Sequence, residues 1–257
     1  MRIVSWNVNG LRACAKKGFT SFLETSKADI IGLQEVRAFS EQLEASVREP
    51  EGWHTNFHAA ERAGYSGVAI YSKQKPDKVE TKLGIDAFDI EGRFILARFG
   101  RLHVASVYLP KGSGKERDNS RVPYKLDFYR AVFDRLESLR KRGPVLVIGD
   151  YNTAHHPIDL ARPKTNKDSS GFLPEERAEM DRWIDEGWVD SFRKRHPDQE
   201  GHYTWWRQFG NARADNVGWR IDYVLASASA DKKVTDAFIW PGALGSDHCP
   251  VGVDLAL

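Results

Sequence analysis

The sequence predicts an α/β fold in which β-sheets are faced by helices, and two observations carry that prediction. Short apolar runs of strand type recur along the chain, and two segments between them carry helical periodicity. The strand-like runs cover residues 3–8, 29–33, 67–71, 94–99, 102–108, 145–148, 220–226 and 251–255. Most are rich in Val, Ile, Leu and aromatic residues and are bounded by Gly, Pro or charge. Val145-Leu146-Val147-Ile148 is continuously apolar, which predicts a strand covered on both faces. The first helix places Leu126, Tyr129, Val132, Phe133, Leu136 and Leu139 on one face and is stopped by Gly143-Pro144. The second begins at Pro174, with Glu175 and Glu176 near the positive end of its dipole and Met180, Trp183 and Ile184 as its apolar stripe.

Composition limits the class. An apolar fraction of 41% with 11% aromatics supplies a sizeable core, and 29% charged residues suits a water-exposed surface. Eight Trp residues leave some free for stacking or pocket walls. A net charge of +2 is too small to indicate nucleic acid, so any electrostatic argument must be local. Cys14 and Cys249 have no metal-finger spacing and read as small buried residues in a reducing, cytoplasmic setting. The opening Met1-Arg2-Ile3-Val4-Ser5-Trp6 enters a strand-like run at once, without an apolar signal, and no apolar stretch is long enough to span a membrane. No linker or repeat divides the chain, which predicts one domain over residues 1–257, acting as a monomer.

Four polar clusters follow or end apolar runs: Trp6-Asn7-Val8-Asn9-Gly10, Leu33-Gln34-Glu35, Ile148-Gly149-Asp150-Tyr151-Asn152 and Gly245-Ser246-Asp247-His248-Cys249-Pro250. A fifth, Arg220-Ile221-Asp222-Tyr223, sets an acid inside an apolar run. Singly, most read as turns or solvated side chains, because Asn, Asp and Gly mostly serve turns. Asp222 differs: a buried acid needs a partner, and His248 is the best candidate. Together the carboxylates and Asn oxygens make a hard-oxygen set suited to Mg²⁺ or Mn²⁺, the Asp–His pair handles protons, and Tyr108 and the Asn amides can donate to phosphate oxygens. That inventory suits phosphoester hydrolysis. A nucleotide-triphosphate loop and a dinucleotide fingerprint are absent, and the adjacent His155-His156 reads as a pair of exposed loop histidines.

The ordered set of motifs resembles the exonuclease III family of apurinic/apyrimidinic endonucleases, among the deoxyribonuclease I-like phosphoesterases. It stands here as Ser5-Trp6-Asn7-Val8-Asn9-Gly10-Leu11-Arg12, Leu33-Gln34-Glu35, Gly149-Asp150-Tyr151-Asn152-Thr153-Ala154, Gly218-Trp219-Arg220-Ile221-Asp222-Tyr223 and Leu244-Gly245-Ser246-Asp247-His248-Cys249-Pro250. Asp159-Leu160-Ala161-Arg162-Pro163 and Ser170-Gly171-Phe172-Leu173-Pro174-Glu175-Glu176-Arg177 add a family-like loop and helix. The resemblance implies a four-layer α/β sandwich, two mostly antiparallel sheets packed face to face with helices outside. It also implies Mg²⁺-dependent cleavage 5′ to an abasic site in double-stranded DNA, leaving a 3′-hydroxyl, with trimming of blocked 3′ ends.

The resemblance assigns roles to residues as well. Glu35 would be the principal Mg²⁺ ligand, with Asn9 near it, and Asp247 would lie close to a second metal position. Asp150 would handle the proton of water or leaving group, oriented by Asn7, while Asn152, Tyr108 and His248, the last held by Asp222, would contact the scissile phosphate. A two-metal reading makes Asn7, Glu35, Asp150, Asn152, Asp247 and His248 all candidate ligands. Arg37, Lys111, Arg121, Lys125 and Arg162 would grip the DNA backbone, and Trp205, Trp219 and Ile221 would line a pocket for a flipped sugar lacking its base. Lys111, Lys115, Arg117, Arg121 and Lys125 face only Glu116 and Asp118 within one segment, and Arg162, Lys164 and Lys167 form a second basic stretch. The alternatives are another phosphoesterase of the superfamily, acting on inositol phosphates, sphingomyelin or RNA 3′ ends, and a non-catalytic DNA-binding or redox module. The pocket motif and the 162–177 segment favour DNA, and the complete metal and phosphate set favours an enzyme.

Overall fold

Alternation along the strands sorts the apolar side chains into three packed layers. The computed structural model describes residues 1–116 and 118–256. Its strands are β1 (Arg2–Asn7), β2 (Ile30–Gln34), β3 (His54–His58), β4 (Val68–Ser72), β5 (Lys78–Glu80), β6 (Phe94–Phe99), β7 (Leu102–Tyr108), β8 (Val145–Asp150), β9 (Trp188–Asp190), β10 (Asp222–Ser227), β11 (Val234–Ile239) and β12 (Val251–Leu255). They form two six-stranded sheets, ordered β11-β12-β1-β2-β4-β3 and β5-β6-β7-β8-β10-β9.

Residues of β8 show the layering. Leu146 and Ile148 enter the core between the sheets with Ile3, Ile30, Ile70, Ile95 and Val224. Val145 and Val147 point the other way, into a core shared with Phe128, Tyr129, Val132, Met180 and Trp183 of the helices Val122–Arg140 and Pro174–Asp185. On the far side, Val4, Trp6, Ile31 and Leu33 pack against Leu11, Phe19 and Leu23 of the short helices Leu11–Ala15 and Phe19–Thr25. Each side chain so buried contributes about 1.5–3 kcal/mol. The result is helix, sheet, sheet, helix: the four-layer sandwich.

Both sheets are mostly antiparallel, and each contains one parallel pair in its middle, β1 with β2 and β7 with β8. Parallel neighbours end on the same edge. Asn7 and Glu35 therefore emerge together from one sheet, and Tyr108 and Asp150 from the other. Strand β10 runs antiparallel to β8 and brings Asp222, its first residue, opposite Asp150. A polar seam stitches the sheets just beneath that edge: Ser5 Oγ donates to Gln34 Oε1 at 3.2 Å, and Gln34 Nε2 donates to Ser106 Oγ at 2.9 Å. Gly32 allows this closeness, because a Cβ there would stand 2.7 Å from Ile148 Cδ1.

Several expectations needed adjusting at their ends. Strands β6, β7 and β12 start and stop where the sequence predicts, whereas β8 extends to Asp150 and β10 starts at Asp222. Four short or edge strands, β3, β5, β9 and β11, escaped the reading because they are half polar or only three residues long. Among the described residues, no helix is long and apolar enough to cross a membrane.

Candidate active site

The shared sheet edge gathers residues that lie far apart in sequence. Asn7, completely buried, donates its Nδ2 to Glu35 Oε1 at 3.0 Å and to Asp150 Oδ2 at 2.8 Å, while its Oδ1 accepts from the Asn9 amide at 3.0 Å. His248 Nε2 stands 3.9 Å from Asp150 Oδ2. Glu35, Asp150 and His248 each offer a ligand atom, all within 4.8 Å of one another. Asn152 donates Nδ2 to Leu109 O at 2.8 Å and lies 3.3 Å from Asp150 Oδ2. Asn9, Glu35 and Asn152 all adopt positive φ, a conformation non-glycine residues rarely hold unless the surroundings impose it.

Behind His248 lies the acid the sequence anticipated. His248 Nδ1 contacts Asp222 Oδ2 at 2.9 Å, and Thr204 Oγ1 donates to the same oxygen at 2.6 Å. Thr204 also accepts from the Ile221 and Asp222 amides, so it fixes the start of β10. No sequence signal singles out a lone threonine of this kind.

Electrostatics follow from burial and neighbours. Burial alone would raise Glu35, but Lys111, Arg37, the Asn7 amide and His248 overcome it and hold the carboxyl at about 2. Burial would lower His248, yet the Asp222 carboxylate, with Asp150 and Asp247, pushes it to about 9. Asp150 is raised far above the ordinary carboxylate range by burial and by the charges of Asp222 and Glu35. Tyr108 is pushed well above its usual value by burial and by Glu35. Two buried carboxylates crowded this closely are mutually repelled, and a divalent cation is the usual relief. The two carboxylates therefore fit a metal ion, and the protonated imidazole beside them is placed to face an anion.

Beside this cluster opens a cavity of about 170 Å³, lined by Lys111, Ser113, Asn152, Ser170, Gly171, Trp205, Trp219, Ile221 and His248. Trp205 and Trp219 meet edge to face, with ring centroids 6.5 Å apart. Trp206, by contrast, is core. The volume lies below the roughly 300–1,000 Å³ of ordinary small-molecule sites, so the cavity accepts a fragment of a ligand. Ser113, Ser170 and Gly171 were not among the anticipated wall residues.

Other sequence expectations are corrected. Lys125 is completely buried: its Nζ donates to Glu176 Oε1 at 2.7 Å and to Asn152 O at 2.6 Å, so it cannot touch a DNA backbone. Asn7 turns its amide nitrogen, not its oxygen, toward the carboxylates, an arrangement that holds both in place. Asp247 lies outside the compact donor group: one oxygen accepts from Asn9 Nδ2 at 2.7 Å and the other from Trp205 Nε1 at 3.2 Å. His155 is buried, stacked on half-buried His156 and bonded to Asp181 at 2.7 Å, so this pair is not an exposed one.

The remaining basic residues fall around the site to different degrees. Arg37 is exposed and ion-paired with Glu35, and Lys111 reaches the cavity. Arg121 stands 3.7 Å from Glu91 and stacks on Tyr124. Arg162 is exposed two residues past Leu160, which bridges to Trp219 in the cavity wall. Arg117 lies outside the described residues.

Residues 4–248 match the endonuclease/exonuclease/phosphatase family. An exodeoxyribonuclease of Bacillus subtilis is 41% identical over 98% of both chains, and a DNA repair nuclease of Danio rerio is 40% identical over 100% of this chain and 83% of its own. Among solved structures, a 3′ phosphatase from Neisseria bound to product DNA hairpin superposes with a TM-score of 0.91 at 27% identity, covering 100% of both chains. An AP endonuclease from Archaeoglobus fulgidus gives 0.88 at 26% identity, with the same coverage. The chain belongs to the endonuclease/exonuclease/phosphatase family, within its exonuclease III and apurinic/apyrimidinic endonuclease group.

Proposed function

We propose that this chain is a DNA repair nuclease that uses Mg²⁺, or Mn²⁺ in its place, to hydrolyse the phosphodiester 5′ to an abasic site in duplex DNA and to trim blocked 3′ ends. The observation that carries the reading is the small cavity walled by Trp205, Trp219 and Ile221, which opens directly onto Asn152 and His248. A base-less sugar fits such a space better than a whole nucleotide, and a damaged nucleotide costs least to extrude. Selectivity then arises without reading base edges.

Glu35 and Asp150 would hold the metal. When bound, Mg²⁺ neutralises charge that builds on the phosphate oxygens. The side chains supply the rest. His248, kept protonated by Asp222, donates to a non-bridging oxygen, and the Asn152 amide and Tyr108 hydroxyl donate alongside it. Asp150 exchanges the proton as water bonds to phosphorus and the bond to O3′ breaks, leaving a 3′-hydroxyl and a 5′-phosphate. Asn7 holds Asp150 and Glu35 in register by donating to both. Lys111, Arg37, Arg121 and Arg162 would hold the duplex through its phosphates, which gives salt-sensitive, sequence-independent affinity. We take the chain to act as a monomeric, single-domain enzyme of the cytoplasm, where its two free, buried cysteines stay reduced.

The test is incision of a duplex carrying one tetrahydrofuran abasic analogue. Cleavage 5′ to the analogue with Mg²⁺, lost on chelation, is the expected result. Turnover of an inositol phosphate with intact DNA would refute the proposal.

A further inference from the structure

Lys125 carries a buried charge that takes no part in the catalytic cluster. Lys125 and Glu176 form an ion pair with no solvent exposure on either side chain. Such a pair is a poor way to gain stability, because removing two charges from water costs about as much as their attraction returns. Its partners show another use. Lys125 Nζ donates to the backbone oxygen of Asn152, in the loop that follows β8. Glu176 accepts from the Gly171 amide at 2.5 Å, the Leu173 amide at 3.1 Å and Ser170 Oγ at 3.1 Å. Ser170 and Gly171 form one wall of the cavity, and Asn152 forms another part of it.

We infer that Lys125 and Glu176 are positioning residues that strap the 170–173 wall to the Asn152 loop and thereby set the width of the nucleotide pocket, and with it the preference for a base-less sugar. This rests on the proposed function. The strap is tight: Gly171 has φ +96, and a Cβ there would lie 3.2 Å both from Asn152 O and from Trp219 Cζ3. The wall at this point is backbone, with no side chain to absorb a shift. A wall that moves outward admits a nucleotide that still carries its base, and it loosens Asn152 in the same movement. A misplacement of about 1 Å at a reacting centre costs on the order of 10²-fold in rate.

The experiment measures kcat/KM of Glu176→Gln and Lys125→Met on two substrates, a duplex with one tetrahydrofuran analogue and an undamaged duplex with a recessed 3′ end. Glu176→Gln keeps an amide oxygen for Gly171, removes the charge, and serves if Lys125→Met fails to fold. The ratio of abasic to undamaged turnover is expected to fall by about tenfold, with a higher KM for the abasic duplex. Faster hydrogen exchange at the Gly171 and Leu173 amides should accompany it. Equal loss on both substrates, or an unchanged ratio, overturns the inference, since a merely structural pair would lower both rates together. A wild-type chain that cuts neither substrate refutes the proposed function instead, so the two failures are distinguishable.

Discussion

Replacing Asp222 by Asn should change how the stability of the metal-free protein depends on pH. Asp222 Oδ2 lies 2.9 Å from His248 Nδ1, and both residues are almost completely buried. The carboxylate is the chief reason that His248 rises from 6.5 to about 9 against the opposing effect of burial. A histidine whose proton affinity is higher folded than unfolded adds stability that is fully present below about 6.5. That stability is lost as pH climbs through about 9. The interval corresponds to roughly 3 kcal/mol. Asparagine keeps the shape and still accepts from Thr204, but it removes the charge. Asp150 and Asp247 remain, so most of the effect, about 2–3 kcal/mol, should vanish. The assay is urea unfolding of both proteins in a chelator at about pH 6 and about pH 9.5, comparing the loss between the two pH values. Wild type should lose more than the variant by that margin. Equal losses would refute the assignment of His248 as a buried imidazolium held by Asp222.

Further outcomes follow from other contacts. Asp159 is buried and accepts from Arg220 Nε at 2.8 Å and Arg193 Nη2 at 2.6 Å, so Asp159→Ala should cost about 3–5 kcal/mol in urea unfolding by stranding buried guanidinium groups. Gly171→Ala, at φ +96 with its new methyl against Trp219, should lower kcat/KM on an abasic duplex by on the order of tenfold or more while costing about 1 kcal/mol of stability. Asn7→Asp sets a third carboxylate against Glu35 and Asp150 and should cut turnover by on the order of 10²-fold, measured at saturating Mg²⁺. Trp206→Phe, in contrast to Trp219→Ala, should leave abasic incision nearly unchanged, because Trp206 is core and Trp219 is wall.

The catalytic edge was legible because strand ends and polar punctuation coincide. The motifs at Asn7, Glu35 and Asp150 begin where an apolar run stops, and the two central parallel pairs turn that sequence habit into a place in space, while the His248 motif leads into β12. Asp222 was legible for the opposite reason, as an acid where none should be buried alone. Lys125 was misread because a cation in a basic segment suggests a surface. Its position carries a contrary signal: Lys125, Tyr129, Val132, Phe133 and Leu136 share one helical stripe, and that stripe is the buried one. The edge strands were invisible because half-exposed runs such as β3 and β11 lack a continuous apolar pattern. Nor could the sequence reveal Thr204, or the orientation of Asn7, which depends on where the Asn9 amide lies in the folded chain.

Glu35 and Asp150, with the His248 imidazolium beside them, form one buried cluster at the mouth of the pocket. The most direct measurement is an anomalous-scattering map from crystals grown with Mn²⁺. A peak bonded to a Glu35 or Asp150 carboxylate oxygen is predicted, and it should disappear in Glu35→Gln. A fully occupied peak elsewhere on the chain, with none at these carboxylates, would contradict it.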